Sequence, residues 1–421
     1  MVEKLKERVL NPFFIAAFLF AVVVYGGLLP LKEKESYSGI LPYEDVFSVS
    51  GTVISNPVLN SSRRYYSFRL DLERVEGEIA RASVSSDAKG TLNCLIKSEI
   101  VEAIYPGKLY SGYGNGILVE TGEKLVLHGR TGGGFFICSR AEQLQLPLTA
   151  AGTLNHFRAL CRLQFKRLMY GWKDAGGFIL ALLSGSREYT DRKLSDDFRK
   201  AGLSHILALS GMHLSFFSTL SAGLFSKISG KKFSSWIQLF GILGFVWFAG
   251  LSPSLLRALL CSLIMMLCKS VFSLNADNFI ILCSVFLIHC LIAPWDMFSA
   301  AFLLSYGALA GILLLSDVLD SKLGAMVPHS ISSSLSASVS AQAATSPICL
   351  LLFRTLTPGG IPASLVVSPV VNLFMTLSVF SISICLLMPF LSPVFCFIMN
   401  LIYKIISFLV GMFSCIPPVV F

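Results

Sequence analysis

The chain has 421 residues, 54% of them hydrophobic and only 14% charged, with a formal net charge of +9. Soluble domains carry about 25% charged residues, so this balance excludes an ordinary water-soluble protein and points to lipid as the main solvent. The positive excess is local: residues 151–232 hold 13 Lys and Arg against 5 Asp and Glu. Such a block suits an anionic partner, either lipid headgroups or a nucleic-acid backbone.

Apolar runs that might serve as bilayer spans are 13–31, 204–226, 236–251, 254–273, 277–293, 297–315, 335–353, 364–389 and 393–415. Several are shorter than the roughly 20 residues a span needs, or carry Pro, Gly and Ser. The pattern predicts a polytopic α-helical membrane protein with about 8–9 segments, some broken or re-entrant. Residues 1–31 read as a cytoplasmic tip and an N-terminal anchor. Lys4, Lys6 and Arg8 favour a cytoplasmic start, and Tyr25-Gly-Gly-Leu-Leu-Pro30 lacks a small-x-small cleavage site.

Residues 32–150 are then extracytoplasmic and read as a small β domain. Positions 66, 68, 70 and 72 are apolar and alternate with polar ones, as do Phe47, Val49, Gly51 and Val53, the period of half-buried strands. With turn signals such as Thr131-Gly-Gly-Gly134, about five short strands suit a barrel of the OB type. Arg63, Arg64, Tyr65, Tyr66 and Tyr113 are its candidates for stacking on a single strand, with about half of the aromatics expected in the core. Cys94 and Cys138 lie in this polar region, either as a disulfide or as two free thiols. The other nine cysteines sit in apolar surroundings and read as small hydrophobes.

Residues 151–203 read as basic amphipathic interfacial helices. Phe157, Leu160, Cys161, Leu163 and Leu168 are the apolar side chains expected to meet the headgroups. Arg158, Arg162, Lys166, Arg167, Arg199 and Lys200 form a candidate basic entrance.

From residue 204 the chain reads as a helical membrane domain ending at 421. Ser204, His205, Ser210, Gly211 and His213 stand at membrane depth, where polar groups usually face a bundle interior or a hydrated path. Ser210-Gly211 can also kink the helix. Arg257 lies in Ser252-Pro-Ser-Leu-Leu-Arg-Ala258, four residues past Pro253, placed either to snorkel or to meet phosphates inside. The Ser/Ala run 332–343 allows close helix packing or a wetted wall, and Gln342 and Asn372 are further polar residues in apolar helices.

These segments resemble the membrane core of the ComEC competence family. Gly202-Leu-Ser-His205 with Leu209-Ser-Gly-Met-His213 carries the likeness most specifically. The Ser-Pro-Ser-Leu-Leu-Arg-Ala block, Ala301-Phe-Leu-Leu-Ser-Tyr-Gly-Ala308, Ala341-Gln-Ala-Ala-Thr-Ser-Pro347 and Val370-Val-Asn-Leu373 follow in the family's order. The resemblance covers about 150–415 and implies a bacterial inner-membrane channel for single-stranded DNA uptake in natural transformation. It would be passive, and driven by a separate helicase-like ATPase alongside a nuclease and a DNA receptor. By that analogy His205, Ser210, His213 and Arg257 are candidates for the strand's path; Gly211 at the helix break, and Gln342 and Asn372 as polar residues in apolar helices, are added to it, and a homo-oligomer is a further expectation.

Longer members carry a metallo-β-lactamase-like domain, whose ligands need a spacing such as His-x-His-x-Asp-His. The histidines 128, 156, 205, 213, 289 and 329 do not offer it. Gly223 to Lys232 lacks a phosphate-loop frame, and Leu183-Ser-Gly-Ser186 lacks a nucleophile elbow. The expectation is a chain without enzyme activity, metal or cofactor. A channel for a small anionic solute is the alternative, and a β domain that recruits partners is a third reading.

Overall fold

A computed structural model describes residues 8, 10–27, 37–60, 64–79, 82–98, 100–101, 117–144, 150–225, 231–270, 274, 276–324 and 328–420. Lys4, Lys6, Arg63, Tyr113 and part of the 223–232 loop lie outside them. The chain forms two compact units, residues 32–191 with 392–400, and residues 1–31, 192–391 and 401–421.

The first unit is a barrel with two helices. Its strands are β1 (Val46–Val53), β2 (Val58–Leu59), β3 (Tyr65–Ile79), β4 (Ala82–Asp87), β5 (Thr91–Lys97), β6 (Lys124–Gly132) and β7 (Phe135–Gln143). Pairing runs β1-β6-β7-β5-β3 and closes through β1–β3, with β5 and β7 parallel and the other four pairs of that ring antiparallel. Closure removes free sheet edges among these five strands. The expected alternation holds in β3, where Tyr66, Phe68, Leu70 and Leu72 all point into the core. Tyr66 is therefore a packing residue and not a stacking platform. In β1 a register shift between Val46 and Ser48 turns Phe47 outward, while Val49 and Val53 stay inside.

Cys94 and Cys138 are free thiols in this core, so the disulfide alternative is not realised. Cys94 pairs with Phe136 and Cys138 with Ile96, two residues out of register on neighbouring parallel strands. Two rises of about 3.3 Å across a strand spacing of about 4.8 Å put their Cα atoms about 8 Å apart, beyond the roughly 7 Å that a bridge tolerates.

Two helices complete the unit, α2 (Ala150–Tyr170) and α3 (Lys173–Ser184), following the N-terminal helix α1 (Pro12–Tyr25) in the chain. Ala159 and Leu163 of α2 belong to the same core as the strands. The helix turns two different faces outward and inward. The buried stripe of α2 holds Ala159, Arg162, Leu163, Lys166 and Met169, whereas Phe157 and Leu160 are exposed.

The second unit contains α1, α4 (Arg192–Lys200), α5 (Ser204–Leu207), α6 (Gly211–Phe225), α7 (Lys231–Ala249) and α8 (Pro253–Ser270). It continues with α9 (Asn278–Ile292), α10 (Ala300–Leu323), α11 (His329–Phe353), β8 (Thr355–Leu356), α12 (Gly360–Leu387), the C-terminal part of α13 (Ser392–Ser414) and β9 (Val419–Val420). Among the described residues four helices are long and apolar enough to cross a membrane, namely α10, α11, α12 and Pro389–Ser414; Pro12–Tyr25, Trp236–Ala249 and Asn278–Ile292 are shorter apolar helices. The 204–226 run is interrupted at 208–210, as the Ser-Gly pair suggested.

Contacts at both ends of α1 set its direction. Arg8 bonds Asp277, which caps the start of α9, and donates to the Leu313 carbonyl of α10. At the other end the Tyr25 hydroxyl donates to the Met297 carbonyl, between α9 and α10. Helices α1 and α9 thus run together and α10 returns. Helices α10 and α11 pack closely, since a Cβ on Gly311 would stand 2.5 Å from Ala344 Cβ. Ser332, Ser336 and Ser340 are buried on α11, and a Cβ on Gly311 would also meet the Ser340 carbonyl. At these positions the small residues serve helix contact.

Candidate functional site

The break before α6 organises the polar residues of the second unit. His213 Nδ1 accepts the Ser210 N–H at 3.2 Å, and the Ser210 carbonyl accepts the His213 N–H at 3.1 Å. The His213 ring has no exposed surface, and its Nε2 makes no hydrogen bond. Pro253 suits the first position of α8, where no N–H is needed. The Ser254 hydroxyl donates to the Leu209 carbonyl at 2.6 Å, fastening that first turn to the break.

Arg257 follows one turn later and is 8% exposed. Its Nη1 donates to the Ser305 carbonyl of α10. Nε has no acceptor, and Nη2 stands 3.3 Å from where a Cβ on Gly211 would lie. Among the described residues no carboxylate pairs with this guanidinium. It turns into the bundle, five residues or about 8 Å past the first residue of α10.

A second set of polar residues adjoins Ser305. Buried His289 of α9 bonds the Tyr306 hydroxyl through Nδ1 at 3.1 Å and Asp296 through Nε2 at 3.2 Å. Tyr306 is the next residue after the Arg257 acceptor, so this trio braces the backbone that holds Arg257. Sequence reasoning quoted Tyr306 within a motif and left His289 as one histidine of six. The signal available was an ionisable side chain inside an apolar helix.

The other predicted residues divide. His205 is exposed on the short α5, with the Gly202 backbone as a hydrogen-bond partner. Gln342 donates to the Thr357 carbonyl at 2.8 Å. Thr357 in turn crowds Gly202, whose φ of +73° favours glycine. Asn372 does not join the site: Val371 takes the buried position beside it, and Asn372 faces outward.

The basic entrance is corrected for its central members. Arg162 and Lys166 are 2% and 1% exposed. Arg162 Nε meets Glu120 Oε2 at 3.0 Å and Lys166 Nζ meets Glu120 Oε1 at 2.5 Å. Lys166 also pairs with Glu188 at 2.9 Å, and Arg162 donates to the Ser184 carbonyl and to Asn56. Burial alone would raise the Glu120 carboxyl, but Lys166 and Arg162 hold it below the usual carboxylate range. Burial would likewise lower Lys166, yet Glu120 and Glu188 hold its ammonium above the usual range. Arg158 donates to the Thr121 carbonyl, and Arg167 is partly buried on the same helix. Arg199 and Lys200 remain exposed on α4, with Arg199 paired to Asp196.

Apolar helices long enough to span a bilayer, a separate barrel, and buried cationic and imidazole groups at a broken helix define a polytopic helical membrane protein. The chain belongs to the competence protein family, whose family model matches residues 182–420. It is also similar to ComE operon protein 3 of Bacillus subtilis (strain 168), at 29% identity over 201 residues; the match covers 47% of this chain and 25% of that relative. No solved structure matches the chain at a significant level.

Proposed function

We propose that the chain takes part in DNA uptake during competence, with its helical unit as the inner-membrane conduit for a single strand. One observation carries the reading: three separate family segments, 209–213, 252–258 and 301–308, converge on one buried cation, Arg257, that has no counter-charge among the described residues. Burying a lone charge costs several kcal/mol, and a polyanion passing by would offset that cost.

The N-terminus is placed in the cytoplasm and the barrel outside it, in a molecule of about 8–9 membrane segments. Because α1 and α9 run together, the cluster around Arg257, Ser305 and Asp296 then lies toward the extracytoplasmic end. The barrel's strand order supports an OB-like fold. The reading includes no hydrolytic step: transport is passive, with a separate helicase-like ATPase, nuclease and receptor, and with self-association of the chain. His213 and Arg257 are enclosed, so passage requires α6 and α8 to part.

The test is uptake of labelled DNA by a competent host lacking the chain, with and without complementation. Uptake that persists at the wild-type rate in the deletion strain overturns the proposal. The enclosure of Arg257 favours a second reading, a channel for a small anionic solute. Solute flux without DNA uptake in the complemented strain would select it.

A further inference from the structure

We infer that the start of α6 and the free edge of Arg257 form a seat for a single tetrahedral oxyanion, a phosphate group. The inference rests on the conduit reading for where the phosphate comes from, and on geometry alone for the seat. Three observations point the same way, and two of them are buried side-chain donors without acceptors.

The first is the guanidinium. Nη1 is taken by the Ser305 carbonyl, which leaves Nε and Nη2. Those two nitrogens form the side-on fork that engages phosphate or carboxylate bidentately. Nε is buried and unpaired, and Nη2 is directed at Gly211.

The second is what Nη2 points toward. Gly211 is the first residue of a 15-residue helix. The opening turn of such a helix presents N–H groups and a partial positive charge of roughly half a unit. Glycine leaves the approach open, whereas a Cβ there would press on the guanidinium. Helix N-terminus and guanidinium therefore address one volume from two directions, an arrangement suited to a tetrahedral anion.

The third is His213, two residues into the helix. Because Nδ1 accepts the Ser210 N–H, the neutral ring carries its proton on Nε2. That N–H is buried without an acceptor. Phosphate, which brings acceptor oxygens and negative charge, complements the guanidinium fork and the helix start, and the His213 N–H is a further donor in the same turn.

The experiment uses the full chain in detergent and follows thermal unfolding against inorganic phosphate, with sodium chloride at matched ionic strength as control. A ligand that binds only the folded state raises the midpoint saturably. Phosphate is expected to do so and chloride is not. Arg257→Lys keeps the charge but loses the fork, and should weaken the response by about tenfold or more. Gly211→Ala should also weaken it, through steric closure.

A wild-type chain with no saturable response overturns the seat, as do Arg257→Lys and Gly211→Ala variants that both titrate like wild type. Repeating the titration with oligothymidylate, and with phosphatidylglycerol against phosphatidylcholine nanodiscs, assigns the source of the phosphate. Protection by either source supports the seat. Protection by the lipid alone, or full DNA uptake by a Gly211→Ala chain whose phosphate response is gone, removes the seat from the strand's path. The conduit reading itself still falls only to the deletion experiment, so the two failures are separable.

Discussion

In the barrel unit two carboxylates, Glu120 and Glu188, are buried with two cations, Arg162 and Lys166; in the helical unit Arg257 is buried with none. The first set is neutral as a whole, and its ion pairs hold Glu120 and Lys166 in their charged forms. It resembles a fastening between α2, the barrel and the turn after α3. The second carries an uncompensated charge within a membrane domain, where insertion of an arginine costs about 3 kcal/mol. Burial alone therefore does not separate structural charges from functional ones. In the reading we propose, the presence or absence of a counter-charge does.

The largest expected effect comes from unbalancing the first set. Lys166→Ala strands Glu120 and Glu188, and should lower the stability of the barrel unit by about 3–5 kcal/mol in denaturant unfolding of the full chain. A loss under 1 kcal/mol would break the contrast.

The opposite sign is expected in the helical unit. Arg257→Met keeps volume and removes a charge without a partner, so it should leave thermal stability unchanged or raise it by about 1–3 kcal/mol. DNA uptake should fall at least about tenfold in the same variant. A variant that loses stability as Lys166→Ala does would mean that Arg257 is structural.

Proton titration sharpens the comparison further. Glu120 has a depressed folded value, so its contribution is present above an unfolded pKa of about 4.3 and is lost as pH falls through the lower folded one. Lys166 has a raised value, so its contribution is present below about 10.4 and is lost as pH rises through the higher folded one. Stability of the barrel unit should be level across neutral pH and fall at both extremes. Glu120→Gln should flatten the acid limb, and an unaltered limb would contradict the assignment.

The smallest effect concerns Cys94 and Cys138. Burial pushes the Cys138 thiol up to about 12 and raises Cys94 as well. Both should resist alkylation near pH 8 in the folded chain, and mobility should be the same with and without reductant. A reductant-sensitive shift that disappears in Cys94→Ser would show a bridge.

Much of this was legible in the sequence where the signal is local. The alternation at 66–72 placed β3's inward face, and Ser210-Gly211 marked the helix break. The motif order picked out Arg257 and His213. The failures arose where partners lie far along the chain. Arg162 and Lys166 read as a solvated basic face because Glu120 is 42 and 46 residues away in sequence and Glu188 26 and 22. The inward stripe at 159, 162, 163, 166 and 169 does have helical spacing, but an apolar criterion skips its basic members. Asn372 is exposed while its neighbour Val371 takes the buried face, a distinction that a run of apolar residues does not show. A register shift, invisible to strict alternation, reversed Phe47.

The close seam between α10 and α11 has a mechanical consequence. Gly311 leaves no gap opposite Ser340 and Ala344, so these two helices cannot slide past one another without collision. They behave as a fixed post. In the conduit we propose, the widening that admits a strand is then expected from staves on the other side of Ser305, with α6 and α8 swinging while the post stays still.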